Sequence, residues 1–199
     1  MQLTEYLKKH IAISSELSHI IDQSFEIQEF DIHEYLLKTG EVSDKIYFIE
    51  SGVVREFSDT ESESGPESEK VITYWILPEN EWIYQVESFE LQIASHSNIR
   101  AETKVNARSI SKALFEKLIS QNAELFPHIL SIYRKYLLQL EYRNRMHQLR
   151  KVEDRLIYLD NMHPGLSQKV PLYMIASYLN TTATNLSRVR GKAIKTKKE

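Results

Sequence analysis

The residues best suited to chemistry lie between Val170 and Arg190. Arg188 carries a guanidinium that can grip a guanine edge with two parallel hydrogen bonds. Thr184, Asn185 and Ser187 beside it are short hydrogen-bonding side chains that suit bases or phosphates. Such a set can read a groove of double-stranded DNA if one helix face presents it outward, and the flanking residues are suited to that arrangement. Pro171 fits the first turn of a helix, where its missing N–H is not needed. Ile175 and Leu179 share one face, and Ala176 is small enough to let a second helix cross closely. Asn180 falls where the first helix must end, and Asn tolerates the left-handed conformation of a sharp turn. Thr181 or Thr182 can cap the next helix. Leu186 and Val189 then point to a core. The result has the form of a helix-turn-helix. Its candidate DNA contacts are Thr182, Thr184, Asn185, Ser187, Arg188, Arg190 and Lys192. A plainer reading is an ordinary helical hairpin with solvated arginines. The basic run Arg188, Arg190, Lys192, Lys195, Lys197 and Lys198, opposed only by Glu199, favours the groove reader. From Lys195 onward a frayed, solvated tail remains the alternative.

The rest of the chain must position that end. Leu3 to about Ser24 has helical periodicity. From Phe25 to Ile110 the pattern changes to short alternating runs, as in Lys45–Ile49, and Val71–Leu77 is a β-branched and aromatic run of buried-strand type. Several such strands predict a sandwich or barrel. Asp59 to Glu69, with Gly65-Pro66, reads as a solvated hairpin tip. Helical signal returns after Ser111 and runs to about Leu159, with Pro127 near the start of a long helix. Phe126, Tyr133, Leu140 and His147 recur every seven residues, with Ile129 and Tyr136 between them. This stripe could pack on the chain's own barrel or form a dimer seam. His147 is expected to be a packed or hydrogen-bonded histidine rather than a metal ligand.

The segments Ile175–Leu179 and Leu186–Arg190, together with Lys38-Thr39-Gly40-Glu41 and Lys45–Arg55, resemble bacterial Crp/Fnr-type transcription regulators over most of the 199 residues. The resemblance implies an α+β chain. An N-terminal β-barrel of jelly-roll form, like a cyclic-nucleotide-binding domain, would occupy 1–125, a dimerisation helix 126–150, and a helix-turn-helix domain 151–199. It favours the dimer seam, through Phe126, Ile129, Tyr133, Tyr136 and Leu140. It also implies a cytoplasmic regulator whose partners are double-stranded DNA, a second copy of the chain and RNA polymerase.

The sensor pocket departs from the family's pattern. Cyclic-nucleotide binders use a Gly-Glu pair and, further on, an Arg-Ser or Arg-Thr pair. The matching positions here are Tyr84-Gln85 and Ser95-His96. Without the Arg, a phosphate loses its bidentate partner, a loss of roughly 1.5–3 kcal/mol. Arg100 is one candidate substitute. Cyclic AMP is therefore not the expected effector. The barrel would serve another small molecule or none, and no cofactor is expected. Zero cysteines rule out the cysteine-ligated iron–sulfur cluster through which some relatives sense oxygen. At the DNA end, Ala183, Thr184 and Asn185 replace the larger polar triplet common in the family. The chain ends soon after the second helix, which leaves no room for a β-hairpin wing unless the natural chain runs on.

Other classes fit less well. A cupin-type metalloenzyme needs clustered histidines, whereas the seven here are scattered and form no His-x-His pair. An interaction protein that has lost DNA binding would present neutral or acidic residues on the second helix, and Arg188 and Arg190 speak against that. No apolar run spans a bilayer, no secretory signal opens the chain, and no membrane partner is expected. The net charge of -3 is unevenly spread: Glu56 through Glu69 holds six acids and no base, while the C-terminus is basic.

Overall fold

The computed structural model describes residues 1–10, 13–60 and 70–196. The expected hairpin tip lies largely at 61–69, outside the described residues. The chain divides into two compact units, one of Met1–Asp59 with Tyr74–Ser131, the other of Thr60–Thr73 with Ile132–Glu199.

The first unit is built on two four-stranded antiparallel sheets. Its strands are β1 (Glu26–Phe30), β2 (Tyr35–Leu37), β3 (Lys45–Ser51), β4 (Val54–Thr60), β5 (Lys70–Leu77), β6 (Trp82–Ile83), β7 (Asn98–Ala101) and β8 (Val105–Ser111). They pair in the orders β1-β8-β3-β6 and β2-β7-β4-β5. Consecutive strands alternate between the sheets except β4 and β5, which are neighbours in one sheet, as in a jelly roll. In β3, Ile46 through Ile49 are all buried, so the strand is covered on both faces and reads as a continuous apolar run. Gly52 turns the chain from β3 to β4 at φ +98, and a Cβ there would collide with the Lys104 carbonyl and the Val105 side chain.

The N-terminal periodicity resolves into two helices, α1 (Leu3–His10) and α2 (Ser15–Ser24). The second starts where the Ser14 hydroxyl accepts from Leu17 N at 3.1 Å. Leu3, Leu17 and Ile21 join Phe48, Phe89 and Ile110 in one core cluster with Leu118 of α4 (Lys112–Gln121). Phe48, fully buried, contributes about 1.5–3 kcal/mol by burial alone. The short helix α3 (Val86–Leu91) interrupts the strands after β6.

After a single 3₁₀ turn, Ala123–Leu125, the long helix α5 runs Phe126–Gln148. Pro127 is its second residue, where no intrahelical N–H is needed. The second unit contains the later part of α5 and four further helices: α6 (Val152–Met162), α7 (Leu166–Lys169), α8 (Leu172–Tyr178) and α9 (Ala183–Thr196). The apolar positions Leu156, Leu159, Met174, Ile175, Leu179, Leu186 and Val189 are all buried. No described helix is long and apolar enough to cross a membrane.

Candidate nucleic-acid interface

Helices α8 and α9 are joined by a tight turn. Asn180 adopts φ +51, the left-handed conformation that ends α8, and Thr181 N donates to Ala176 O at 2.9 Å. Thr182 starts α9: its Oγ1 accepts from Asn185 N at 3.2 Å. Pro171 differs slightly from the expectation. It sits just before α8 at ψ 146 rather than in the first turn, and its carbonyl accepts the first helical bond, from Met174 N. The Pro ring fixes φ but leaves ψ free, so an extended ψ can turn that carbonyl into the helix.

With Leu186 and Val189 buried, Thr182, Thr184, Ser187 and Arg188 are exposed and Asn185 is half-buried. Asn185 is engaged on both sides, donating from Nδ2 to Thr181 Oγ1 at 3.0 Å and accepting on Oδ1 from an Arg188 Nη2 at 2.8 Å. This relay holds the Arg188 guanidinium along the outward face. It makes Asn185 a positioning residue more than a free reader, and the signal for it was the i, i+3 and i, i+4 spacing. Arg190 is placed differently from Arg188: its guanidinium donates to Ser167 O at 2.9 Å, tying α9 to α7. Lys192 lies in α9, but its side chain is outside the described residues.

Sequence reasoning missed Arg155. From α6 its Nε donates to Leu149 O at 2.8 Å, and its Nη1 donates to Leu179 O at 2.8 Å and to Asn180 O at 3.3 Å. A cation thus meets carbonyls at the C-terminal end of α8, where the helix leaves acceptors unsatisfied and its dipole is negative. An Arg among acids and apolar residues in a helical stretch carries no sequence signal for that role.

On α5 the exposed large apolar residues are Phe126, Leu130, Tyr133, Leu137 and Leu138. Their main spacing, four-three-four, gives a stripe that shares Phe126 and Tyr133 with the expected seam. Ile129, Tyr136 and Leu140 are half-buried, and Ile129 packs against the core of the first unit. His147, expected as a packed or hydrogen-bonded residue, packs edge-on to Tyr178 with ring centroids 6.3 Å apart. Neither of its ring nitrogens has a hydrogen-bond partner among the described residues.

At the sensor positions each side chain is engaged locally. The Tyr84 ring lies edge-on to Phe89 at 5.0 Å. Gln85 is buried and caps α3, its Oε1 accepting from Ser88 N at 2.5 Å. Ser95 Oγ donates to Ser97 O at 2.7 Å. His96 Nδ1 lies 3.5 Å from Glu87 and 3.4 Å from Gln85 Nε2. Arg100 is bound to Glu102 by contacts of 3.0 and 3.2 Å and stacks over Phe57. Burial works against the Arg100 charge, but the Glu102 charge and hydrogen bond outweigh it, so its pKa is raised.

No family model and no curated protein sequence matches the chain. Solved structures do. FixK2 from Bradyrhizobium japonicum aligns with a TM-score of 0.68 at 13% identity over 86% of this chain and 85% of its own. A mutant of CooA from Carboxydothermus hydrogenoformans gives 0.66 at 16%, over 98% and 85%. The c-di-GMP-responsive global regulator CLP of Xanthomonas campestris gives 0.65 at 14%, over 92% of each chain. A putative Crp/Fnr-family transcriptional regulator from Eubacterium rectale gives 0.66 at 13% over 96% of this chain. The chain has the Crp/Fnr-type fold. Next to the His96 position, Ser97 Oγ donates at 2.7 Å to a buried carboxylate, Glu56.

Proposed function

We propose that this protein is a dimeric, sequence-specific DNA-binding transcription regulator that does not respond to cyclic AMP. The observation that carries the reading is the outward face of α9, where Thr184, Ser187 and Arg188 are exposed and Arg188 is oriented by Asn185. The structural neighbours are described as regulators, which supports a regulatory and non-enzymatic role. The exposed apolar stripe on α5 supports a symmetric dimer, with two copies of α9 reading half-sites one helical turn apart, about 34 Å.

The test is an electrophoretic mobility shift with the promoter upstream of its own gene, wild type against Arg188→Ala. Arg188→Ala should lose roughly 1–3 kcal/mol per half-site on the operator and much less on random DNA. An equal loss on both would make Arg188 a phosphate contact. No shift by the wild type on any promoter fragment at low salt would remove the reading.

A further inference from the structure

Arg188 is exposed, yet a chain of hydrogen bonds that begins in the turn before α9 holds its guanidinium. Thr181 is fixed in that turn by its own N–H, which donates to Ala176 O at 2.9 Å. Its side chain is half-buried, and its Oγ1 accepts from Asn185 Nδ2 at 3.0 Å. Asn185 Oδ1 in turn accepts from Arg188 Nη2 at 2.8 Å. Thr182 Oγ1 accepts from Asn185 N at 3.2 Å, so Asn185 is held by backbone and side chain together. The spacings, four residues and then three, are the two that bring side chains together on one helix face.

The chemistry of the three groups fixes the direction of this relay. A guanidinium only donates, so the Asn185 oxygen must face Arg188 and the amide nitrogen must face Thr181. Thr181 must therefore accept, which a hydroxyl can do and a methyl cannot. An Asn that reads adenine lays its oxygen and nitrogen side by side on the base edge. Asn185 has those two atoms turned to different neighbours, and reading a base would release Arg188. A free arginine samples many rotamers, so one already held loses less conformational freedom when it meets a base.

We propose that Thr181, a residue of the turn, determines guanine discrimination without touching a base. Through Asn185 it sets the rotamer in which Arg188 meets the guanine edge, and Asn185 reads no adenine. The discrimination rests on the proposed DNA-binding function; the ordering of Arg188 does not.

The experiment has two arms, both on the full chain. Without DNA, nitrogen relaxation of the arginine Nε–H groups measures the order of Arg188 against exposed Arg150. Arg188 should be ordered in the wild type. In Thr181→Val and in Asn185→Ala its order parameter should fall below about 0.6, the range of flexible groups. Thr181→Ser keeps the hydroxyl and should keep the order. With DNA, mobility shifts use a promoter fragment bound by the wild type, unmodified or carrying deazaguanine or deazaadenine, which lack the N7 acceptor. The wild type should lose about tenfold on deazaguanine, where a two-bond contact becomes a single one. Thr181→Val should lose less than about threefold by the same change, and Thr181→Ser as much as the wild type. Deazaadenine should leave the ratio of wild type to Asn185→Ala unchanged. An Arg188 as mobile as Arg150 in the wild type overturns the proposal. So does full guanine discrimination in Thr181→Val, or a deazaadenine loss that Asn185→Ala abolishes. A wild type that binds no promoter fragment removes the DNA-binding function and the discrimination with it, and the relaxation arm still decides whether Thr181 orders Arg188.

Discussion

Arg155 holds the turn on which the proposed DNA-reading face depends, and Arg155→Met measures how strongly. Three backbone carbonyls lose a cationic donor: Leu149, Leu179 and Asn180. Leu179 is fully buried, so its carbonyl is left with reduced access to water, whereas Asn180 is exposed and rehydrates. Hydrogen bonds to a charged group are each worth about 1.5–3 kcal/mol, and the exposed ones less. The sum expected is about 3 kcal/mol, confined to the second unit. Hydrogen–deuterium exchange read by mass spectrometry is the assay. At about 1.4 kcal/mol per factor of ten, peptides covering residues 172–190 should exchange roughly a hundredfold faster. Peptides from the first unit should be unchanged. Arg155→Lys keeps the charge but not the planar fork, and should lose most of the same protection. Exchange over 172–190 within about threefold of wild type in Arg155→Met would show that the turn is held by the buried Ile175, Leu179 and Leu186 alone, and the reasoning would fail.

Changing Tyr133 and Leu137 together to Glu places like charges in the α5 stripe, and sedimentation should then show a folded monomer; a dimer of unchanged affinity would put the interface elsewhere. His147 gives a pH dependence with a fixed sign. Its folded pKa is lowered from 6.5, first by burial and then by Arg143 and Arg155, so its contribution to stability is present above the unfolded value. That contribution is lost as pH falls through 6.5 towards the folded value. Denaturant midpoints should therefore drop more steeply on acidification in wild type than in His147→Gln, and parallel profiles would place the ring in contact with water. Calorimetric titration with cyclic AMP should give no isotherm at micromolar concentration, because Arg100 is bound to Glu102 and Ser97 draws a buried acid to the sensor loop. A one-to-one isotherm would show that the loop rearranges to expose other phosphate donors.

What the sequence determined by itself is what depends on near neighbours. Asn180 marks the turn because its left-handed backbone is a property of one residue, and Thr182 caps α9 through a bond to a residue three positions on. The burial of Leu186 and Val189 follows from helical period, and so does the exposure of Ser187 and Arg188. The strands were legible because alternation and β-branched runs are local, and the jelly-roll order followed from the resemblance. What only tertiary structure decided are the partners that close across long separations. Arg155 reaches Leu179 over 24 residues, Arg190 reaches Ser167 over 23, and Ser177 reaches Val71 over 106. The same holds for the bond from Arg190, a candidate DNA contact, to a carbonyl of α7, and for the packing of Ile129, a candidate seam residue, on the core of the first unit. A long polar side chain has many rotamers and no periodic signature, so its partner is fixed only when packing brings one donor and one acceptor within hydrogen-bonding distance.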